Sequence, residues 1–158
     1  MLNFRKYTPT LLERITTTAS DEKRSRYSRL DAEKMRQLVI AEIMEILNHA
    51  NMEHSLDTER YPYVASSAMN YGLPKRVTYV AQDEWHAAEQ DIRTAILRFE
   101  PRVIPETLVV NVLNGDPSQG NYATLLFELS ALIYWSPEPL DLYVRGRYDL
   151  DADQVVIK

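Results

Sequence analysis

The chain has 158 residues, of which 45% are hydrophobic and 26% charged, with a formal net charge of −5 and no cysteine. This composition suits one folded domain, argues against global disorder, and excludes disulfides and thiolate metal sites. The acidic balance argues against nucleic acid as a partner, no apolar run approaches the roughly 20 residues of a membrane span, and the first residues lack a secretory signal. We therefore expect a soluble, cytoplasmic protein without direct membrane insertion.

The beginning of the chain differs in charge from the rest. Residues 1–30 carry seven Lys and Arg side chains against three acids, whereas residues 31–136 carry eight bases and fifteen acids. Within the basic stretch, Leu11, Leu12 and Ile15 fall at helical spacing, in a segment too short to form a stable helix alone. We predict a basic arm that contains a docking peptide and either stays solvated or orders on an acidic partner.

The spacing of apolar residues predicts a helix over 31–50, with Asp31 as its N-terminal cap. Ile40 and Met44 lie beside the main apolar stripe and widen it, which suggests contacts on more than one side. The stripe itself consists of Met35, Leu38, Val39, Ile43, Ile46, Leu47 and Ala50.

The next segment, 51–82, is predicted to be mostly irregular. Its stretch SSAMNYGLP predicts a short helix that ends at Gly72 in the left-handed conformation. Tyrosine is frequent here, and its large contact area and polar tip suit either a protein interface or the cover of a core. The tyrosines are Tyr61, Tyr63, Tyr71 and Tyr79.

A second helix is predicted over 83–100, with Asp83 as a candidate cap and Pro101 as its stop. Because proline disfavours helical geometry in the preceding residue, we expect Glu100 to leave the helix in an extended conformation. The apolar face of this helix consists of Trp85, Ala88, Ile92, Ala95, Ile96 and Phe99.

Alternating and β-branched residues predict strands in the remainder of the chain. They are expected at 107–114, 121–135 and 139–148, with a short strand VVIK at the end. Asn114 and Gly115 predict a tight turn after the first strand. Apolar residues at odd and even positions of the second strand, including Leu125 and Leu126, suggest that both of its faces are covered.

This order of elements predicts an α+β domain over 31–158, in which two main helices pack on a small antiparallel β-meander of three to four strands. The last strand is short and apolar and is expected at an open sheet edge. Open edges invite pairing with another chain.

No motif in the chain carries catalytic chemistry with any specificity. None of the four glycines forms a phosphate-binding loop. His49, Glu53 and His54 are close in sequence, but a surface role is more common for such residues than a metal site. Glycosidases use a pair of carboxylates, but a chain with 23 acidic residues offers many such pairs, so their presence is weak evidence for this activity. The candidates by residue type are Glu100, Glu106, Asp116 and Glu128. We therefore assign no catalytic residue, no metal ligand and no cofactor.

The sequence Glu100-Pro101-Arg102 supports a more specific hypothesis. Residues two apart in an extended segment point the same way, so this segment presents a carboxylate and a guanidinium on one face. Arg offers a planar fork of donors and Glu accepts, which suits recognition of a partner. The plainer alternative is a helix stop with two flanking surface charges. The second acid or nucleophile that catalysis requires is missing.

Four stretches in chain order resemble the TssE family of type VI secretion baseplates, which is related to phage tail wedge proteins labelled lysozyme-like. PTLLERI (9–15) resembles the family's N-terminal peptide, and SSAMNYGLP (66–74) resembles its NYGLP signature. AILRFEPRV (95–103) resembles its FEPR signature, and the final strands resemble its closing hairpin. One departure is SSAMNYG, where the family has a bulkier aliphatic residue after the first serine.

The resemblance implies a structural, non-enzymatic wedge component in the cytoplasm, in a baseplate docked at the inner membrane complex. It implies TssF, TssG and TssK as baseplate partners, and TssB and TssC as sheath proteins whose polymerisation begins on this component by strand pairing. It also implies that the Glu-Pro-Arg motif and the two other signatures contact partners. The candidate partner-binding residues are Glu100, Pro101, Arg102, Asn70, Tyr71, Gly72, Leu11, Leu12 and Ile15.

Two other functions stay open on the sequence alone. A glycan hydrolase would use Glu100 as its general acid, and its activity on peptidoglycan would disappear in the Glu100→Gln variant. A soluble regulatory adaptor would share the fold but would not co-purify with sheath or wedge proteins.

Overall fold

The computed structural model describes residues 32–57, 59–65, 67–74, 82–113, 124–149, 152 and 154–157. In this part of the chain, helices α1, α2 and α3 are Ala32–Leu47, Pro62–Ala65 and Gln82–Phe99. Strands β1, β2, β3 and β4 are Val109–Leu113, Thr124–Ile133, Leu140–Asp149 and Gln154–Ile157. The predicted arm, the Asp31 cap and the turn at Asn114 and Gly115 lie outside the described residues.

The four strands form one antiparallel sheet in the order β1-β2-β3-β4, which confirms the predicted α+β fold and its meander. The longest pairing joins β2 to β3, from Thr124 opposite Asp149 to Ile133 opposite Leu140. β4 lies at one edge of the sheet, as expected, and β1 lies at the other. The alternation in β3 is also as predicted, with Val144 buried and Tyr143 exposed.

The long helices α1 and α3 pack on one face of the sheet and share a single apolar core with it. The expectation that both faces of β2 are covered is wrong, because Leu126 is 38% exposed and Tyr134, just after the strand, is 49% exposed. Two helices lying on the same side of a sheet leave its other face to solvent. The apolar residues at even positions of β2 therefore belong to an open sheet face.

The predicted apolar faces of the two long helices are largely confirmed. Ala50 is an exception, since α1 ends at Leu47 and Ala50 is exposed. Phe99 is half-buried at the end of α3, and the side chain of Trp85 lies outside the described residues. The buried residues are Met35, Val39, Ile43, Ile46 and Leu47 in α1, and Ala88, Ile92, Ala95 and Ile96 in α3.

Gly72 turns the chain back against the end of α1. The helix predicted before it is a single 3-10 turn, Ala68–Asn70, and Gly72 itself has φ of +109°, a conformation that favours glycine. After this turn, the N–H of Leu73 donates to the carbonyl of His49 at 2.8 Å, and the N–H of Asn51 donates to the carbonyl of Leu73 at 2.8 Å. The NYGLP segment is therefore fixed to α1 through its backbone.

We expect Gly72→Ala to destabilise the fold by roughly 2 kcal/mol or more, because positive φ is strained for alanine. In addition, a Cβ at this position would collide with the His49 carbonyl oxygen. Urea unfolding measures the loss, with Gln90→Ala on the exposed side of α3 as the control. A loss below about 0.5 kcal/mol, the usual range for surface substitutions, would contradict the assignment of this turn.

Candidate functional site

The Glu100 and Arg102 side chains form a closed ion pair at the end of α3. The guanidinium Nε donates to Glu100 Oε1 at 2.7 Å, and Nη2 donates to Oε2 at 2.6 Å. The backbone N–H of Arg102 also donates to Oε1, at 3.0 Å. Such two-pronged, charge-assisted bonds fix both side chains in one geometry. The two side chains lie together as expected, but the expectation of an extended segment is wrong, because Pro101 and Arg102 form a turn in which the N–H of Val103 donates to the carbonyl of Glu100 at 3.3 Å.

The two partners of this pair differ in exposure. The Glu100 side chain is 1% exposed, whereas that of Arg102 is 25% exposed. The carboxylate is therefore used inside the protein and is not presented to a partner, which corrects the expectation of a carboxylate and a guanidinium side by side at the surface. Among the described bonds, none uses Nη1 of Arg102, whose N–H groups can meet an acceptor from outside.

The backbone around the pair is attached to the end of the sheet. The Arg102 carbonyl accepts from the N–H of Tyr134 at 2.8 Å, and the N–H of Ile104 donates to the carbonyl of Leu132 at 2.8 Å. Between them, Val103 forms a bridge with Ile133 and is 2% exposed. These contacts place Arg102 on a rigid support, because its chain continues the ladder of β2.

The NYGLP and FEPR signatures meet in space. The Tyr71 ring lies 5.0 Å from the Phe99 ring and 5.4 Å from the His49 ring, measured between centroids. Next to Phe99, Arg98 donates from Nη1 to the carbonyl of Ala65 at 3.0 Å. The two segments, which residues 75–98 separate in the sequence, therefore form one surface around the C-terminal end of α3.

Asn70, a predicted partner contact, is fully buried and holds the loop before Gly72. Its Oδ1 accepts from the N–H of Met52 at 3.1 Å, and its Nδ2 donates to the carbonyl of Ala65 at 3.0 Å. Gly72 is buried as well, and Tyr71 is half-buried. Asn70 and Gly72 therefore fix the conformation of the loop beneath the surface. Of the three residues, only Tyr71 is partly exposed and available for contact with a partner.

Charges around this surface shift two pKa values. The pKa of Arg102 is raised, chiefly by its hydrogen bonds to Glu100. The pKa of the Tyr71 phenol is raised by burial first, and then by the negative charges of Glu42, Glu45 and Glu100. The phenol therefore stays neutral, and available as a hydrogen-bond donor, over the physiological pH range.

Of the other candidate acids and histidines, His49 and Glu53 lie at this surface: the His49 ring contacts Tyr71, and Glu53 Oε2 lies 3.7 Å from Nη1 of Arg98. Glu106 is exposed, and Glu128 pairs with Arg145 on the open sheet face at 2.6 Å. Nδ1 of His49 lies 2.7 Å from the carbonyl oxygen of Glu45. In the described ranges, no group of three or more potential metal ligands is found. Asp116 and the arm residues Leu11, Leu12 and Ile15 lie outside those ranges.

Several residues that shape the site carry no signal in the sequence analysis. Arg98 and Asn51 line a polar groove of about 270 Å³ between Gly72 and α3. Asn51 is 5% exposed, and its Nδ2 donates to the Gly72 carbonyl at 3.4 Å. Asparagine commonly bonds nearby backbone groups in turns, but the sequence alone does not show that the Asn51 amide is buried or that it contacts Gly72.

The baseplate wedge protein gp25 family matches residues 33–138 of the chain. The chain belongs to this family. The matched region contains α1 from its second residue, α3, β1, β2 and the Glu100–Arg102 pair, and the match is consistent with the resemblance to TssE-like wedge proteins. Family membership indicates a structural role in a phage-tail-like baseplate. Comparisons with curated proteins and with solved structures gave no match.

Neither α1 nor α3, nor any other helix in the described residues, is long and apolar enough to cross a bilayer.

We expect Glu100→Gln to lower the free energy of unfolding by roughly 3 kcal/mol, because it leaves the Arg102 charge half-buried without its counter-charge. Glu128→Gln is the matched control, since Glu128 makes an ion pair of the same 2.6 Å length with an exposed arginine. Solvent screening should make that change nearly neutral. Equal losses in the two variants, measured by urea unfolding, would show that burial of the first pair has no energetic consequence.

The raised pKa of Tyr71 predicts an alkaline loss of stability. The folded protein holds the phenol proton to higher pH than the unfolded chain, so this stabilisation is complete below the ordinary pKa of about 10 and declines as the pH rises above it. Tyr71→Phe should therefore flatten the fall in unfolding free energy above about pH 10. Gln90→Ala, on the exposed side of α3, removes no titrating group and should leave the slope unchanged. An unchanged slope in Tyr71→Phe would refute the coupling.

Proposed function

We propose that this protein is the TssE-type component of a type VI secretion baseplate, which anchors the contractile sheath and starts its polymerisation. In this proposal TssF, TssG and TssK are its baseplate partners, and TssB and TssC are the sheath proteins that assemble on it. The family match supports the baseplate role, and the FEPR and NYGLP signatures support the secretion type. The observation that carries the proposal is the Glu100–Arg102 pair.

Arg102 is suited to a contact with a neighbouring protein. Two of its nitrogens and its backbone are fixed by Glu100, so the guanidinium loses little further freedom when it binds. Its remaining donors lie at a position that is partly exposed and attached to the sheet. A carbonyl or carboxylate of a partner fits this arrangement best, because guanidinium has donors and no acceptor.

The sheet supplies the second contact of the proposal. β4 is an edge strand of four residues at the end of the meander, and Gln154 and Val156 of this strand are exposed. An added strand would extend the sheet by backbone hydrogen bonds, and the alternation of side chains would set its register. Such pairing is the step by which this protein would start the polymerisation of the sheath.

The geometry favours a structural protein over a glycan hydrolase. Both oxygens of Glu100 accept hydrogen bonds from Arg102, and the carboxylate is buried, so it meets neither a sugar oxygen nor a water. We propose a non-enzymatic role on this ground. Incubation of the pure protein with peptidoglycan tests it, since glycan cleavage that is lost in Glu100→Gln would restore the hydrolase.

We expect Arg102→Lys to keep the fold and to lose the partners. Lysine retains a positive charge beside Glu100 but lacks the planar set of guanidinium donors. Arg102→Ala would instead leave the buried Glu100 carboxylate unpaired, so that a loss of binding could not be distinguished from a loss of stability. Affinity purification from the native cells, followed by mass spectrometry, should recover TssF, TssG or sheath subunits with the unchanged protein and with Arg145→Lys, the exposed control. It should not recover them with Arg102→Lys.

A double variant separates the contact from the support of the fold. Glu100→Leu/Arg102→Met replaces the pair by apolar side chains of similar size, a change that often leaves stability unaffected. If this variant folds and still recovers the baseplate proteins, the pair is a purely internal device. Recovery of a soluble protein outside the baseplate with the unchanged chain would favour the regulatory adaptor.

A further inference from the structure

Among the described residues, polar side chains bond the backbone at both edges of the sheet, from α3 at one edge and from Asn48, just beyond α1, at the other. At the β1 edge, Glu89 Oε1 accepts from the N–H of Val112 at 2.8 Å. One turn further along α3, Arg93 donates to the carbonyls of Leu108 and Pro105. Glu89 therefore holds a backbone donor of β1, and Arg93 holds the segment just before this strand, so that an added strand would have to displace the Glu89 bond.

At the β4 edge, within the described part of the chain, the side-chain amide of Asn48 stands where a strand would lie. The N–H of Val155 donates to Oδ1 of Asn48 at 2.7 Å, and Nδ2 of Asn48 donates to the carbonyl of Val155 at 3.1 Å. A residue in a neighbouring antiparallel strand makes this same pair of bonds. Val155 is buried, whereas Asn48 is exposed and lies just beyond the end of α1. The expectation of an open last strand is corrected accordingly.

Asn48 can leave this position without losing all of its hydrogen bonds. Its Nδ2 also donates to the carbonyl of Met44 at 3.0 Å, a bond within the end of α1 that does not depend on β4. Asparagine has a short side chain with few rotamers, and water can satisfy it once it turns away. The backbone of Val155 would then present one donor and one acceptor, side by side, at the sheet edge.

We propose that Asn48 is a removable cap that keeps the β4 edge closed until an extended strand of a partner replaces it. This inference rests on the proposed function and adds to it the choice of edge and the way in which that edge is regulated. The occupant is a strand of the sheath subunit, with apolar side chains on the Val155 side and polar ones on the side of Gln154 and Val156. The cap prevents premature pairing between copies of the free protein.

The test compares the full-length protein with Asn48→Ala and with Asn48→Ala/Val155→Pro. Proline lacks the N–H that an added strand would use and is tolerated on edge strands. In sedimentation velocity, Asn48→Ala should self-associate about tenfold more tightly than the unchanged chain, the factor expected when one net hydrogen bond need not be displaced. The double variant should reverse this gain. Circular dichroism confirms the fold of each variant.

Binding to the purified sheath subunits TssB and TssC provides the second readout. A merely structural Asn48 would weaken this binding when it is removed, whereas a cap predicts that Asn48→Ala binds about tenfold more tightly. Should Asn48→Ala fail to fold, Asn48→Asp keeps the acceptor for Val155 but loses the donor, and should show a smaller gain in both measurements.

The outcomes separate the cap from the proposed function. If Asn48→Ala self-associates, the double variant with Val155→Pro does not, and no variant binds the sheath subunits, the cap is supported. The sheath strand is then overturned as the occupant of the edge. If the protein binds the sheath subunits, and Asn48→Ala neither strengthens this binding nor increases self-association, the cap is overturned. The proposed function then still stands. A dimer of the unchanged chain that is lost in Asn48→Ala/Val155→Pro would make a second copy the occupant and overturn the proposal.

Discussion

The ion pair between Glu100 and Arg102 joins the end of α3 to the end of β2, and the arrangement of the candidate site depends on it. Pro101 ends the helix, but the helix stop alone would leave the direction of the next residues undetermined. The buried carboxylate supplies that direction by accepting three hydrogen bonds from one residue. A charge buried in this way is costly unless it is paired, so the pair constrains the segment strongly.

Next to this ion pair, the FEPR and NYGLP segments contact each other. Phe99, just before the pair, packs against Tyr71, and the turn at Gly72 returns the chain to α1. Asn70 holds the loop that precedes the turn. The result is a surface of mixed origin around the end of α3, in which Arg102 contributes a fixed donor and Tyr71 a neutral phenol. Conformational stiffness of this kind lowers the entropic cost of binding a large assembly.

The helices and strands were predictable from periodicity, because burial on one side repeats every 3.6 residues in α1 and α3 and every two residues in β3. The sequence could not show that β2 is covered on one face only, since Leu126 and Leu132 follow the same pattern whether a second layer exists or not. Family membership was also accessible, through short motifs with specific order.

The roles of individual polar residues were harder to predict. The side chains of Glu100 and Arg102 lie together as expected, but across a turn and not along an extended segment. Their spacing also does not tell whether they bind each other or a partner. Asn48 and Val155 are 107 residues apart, and no local pattern links them. Contacts of this kind depend on the packing of α1 against β4, which is a property of the folded chain. The different closure of the two sheet edges therefore emerges only from the structure.

The most direct test of the account is the position of Arg102 in the assembled baseplate, determined by cryo-electron microscopy at side-chain resolution. The account predicts that the guanidinium keeps both bonds to Glu100 while its Nη1 lies within about 3 Å of a carbonyl or carboxylate oxygen of a neighbouring protein. An assembled baseplate in which Arg102 faces solvent, or contacts its own chain alone, would contradict the central claim that this pair presents a fixed donor to a partner.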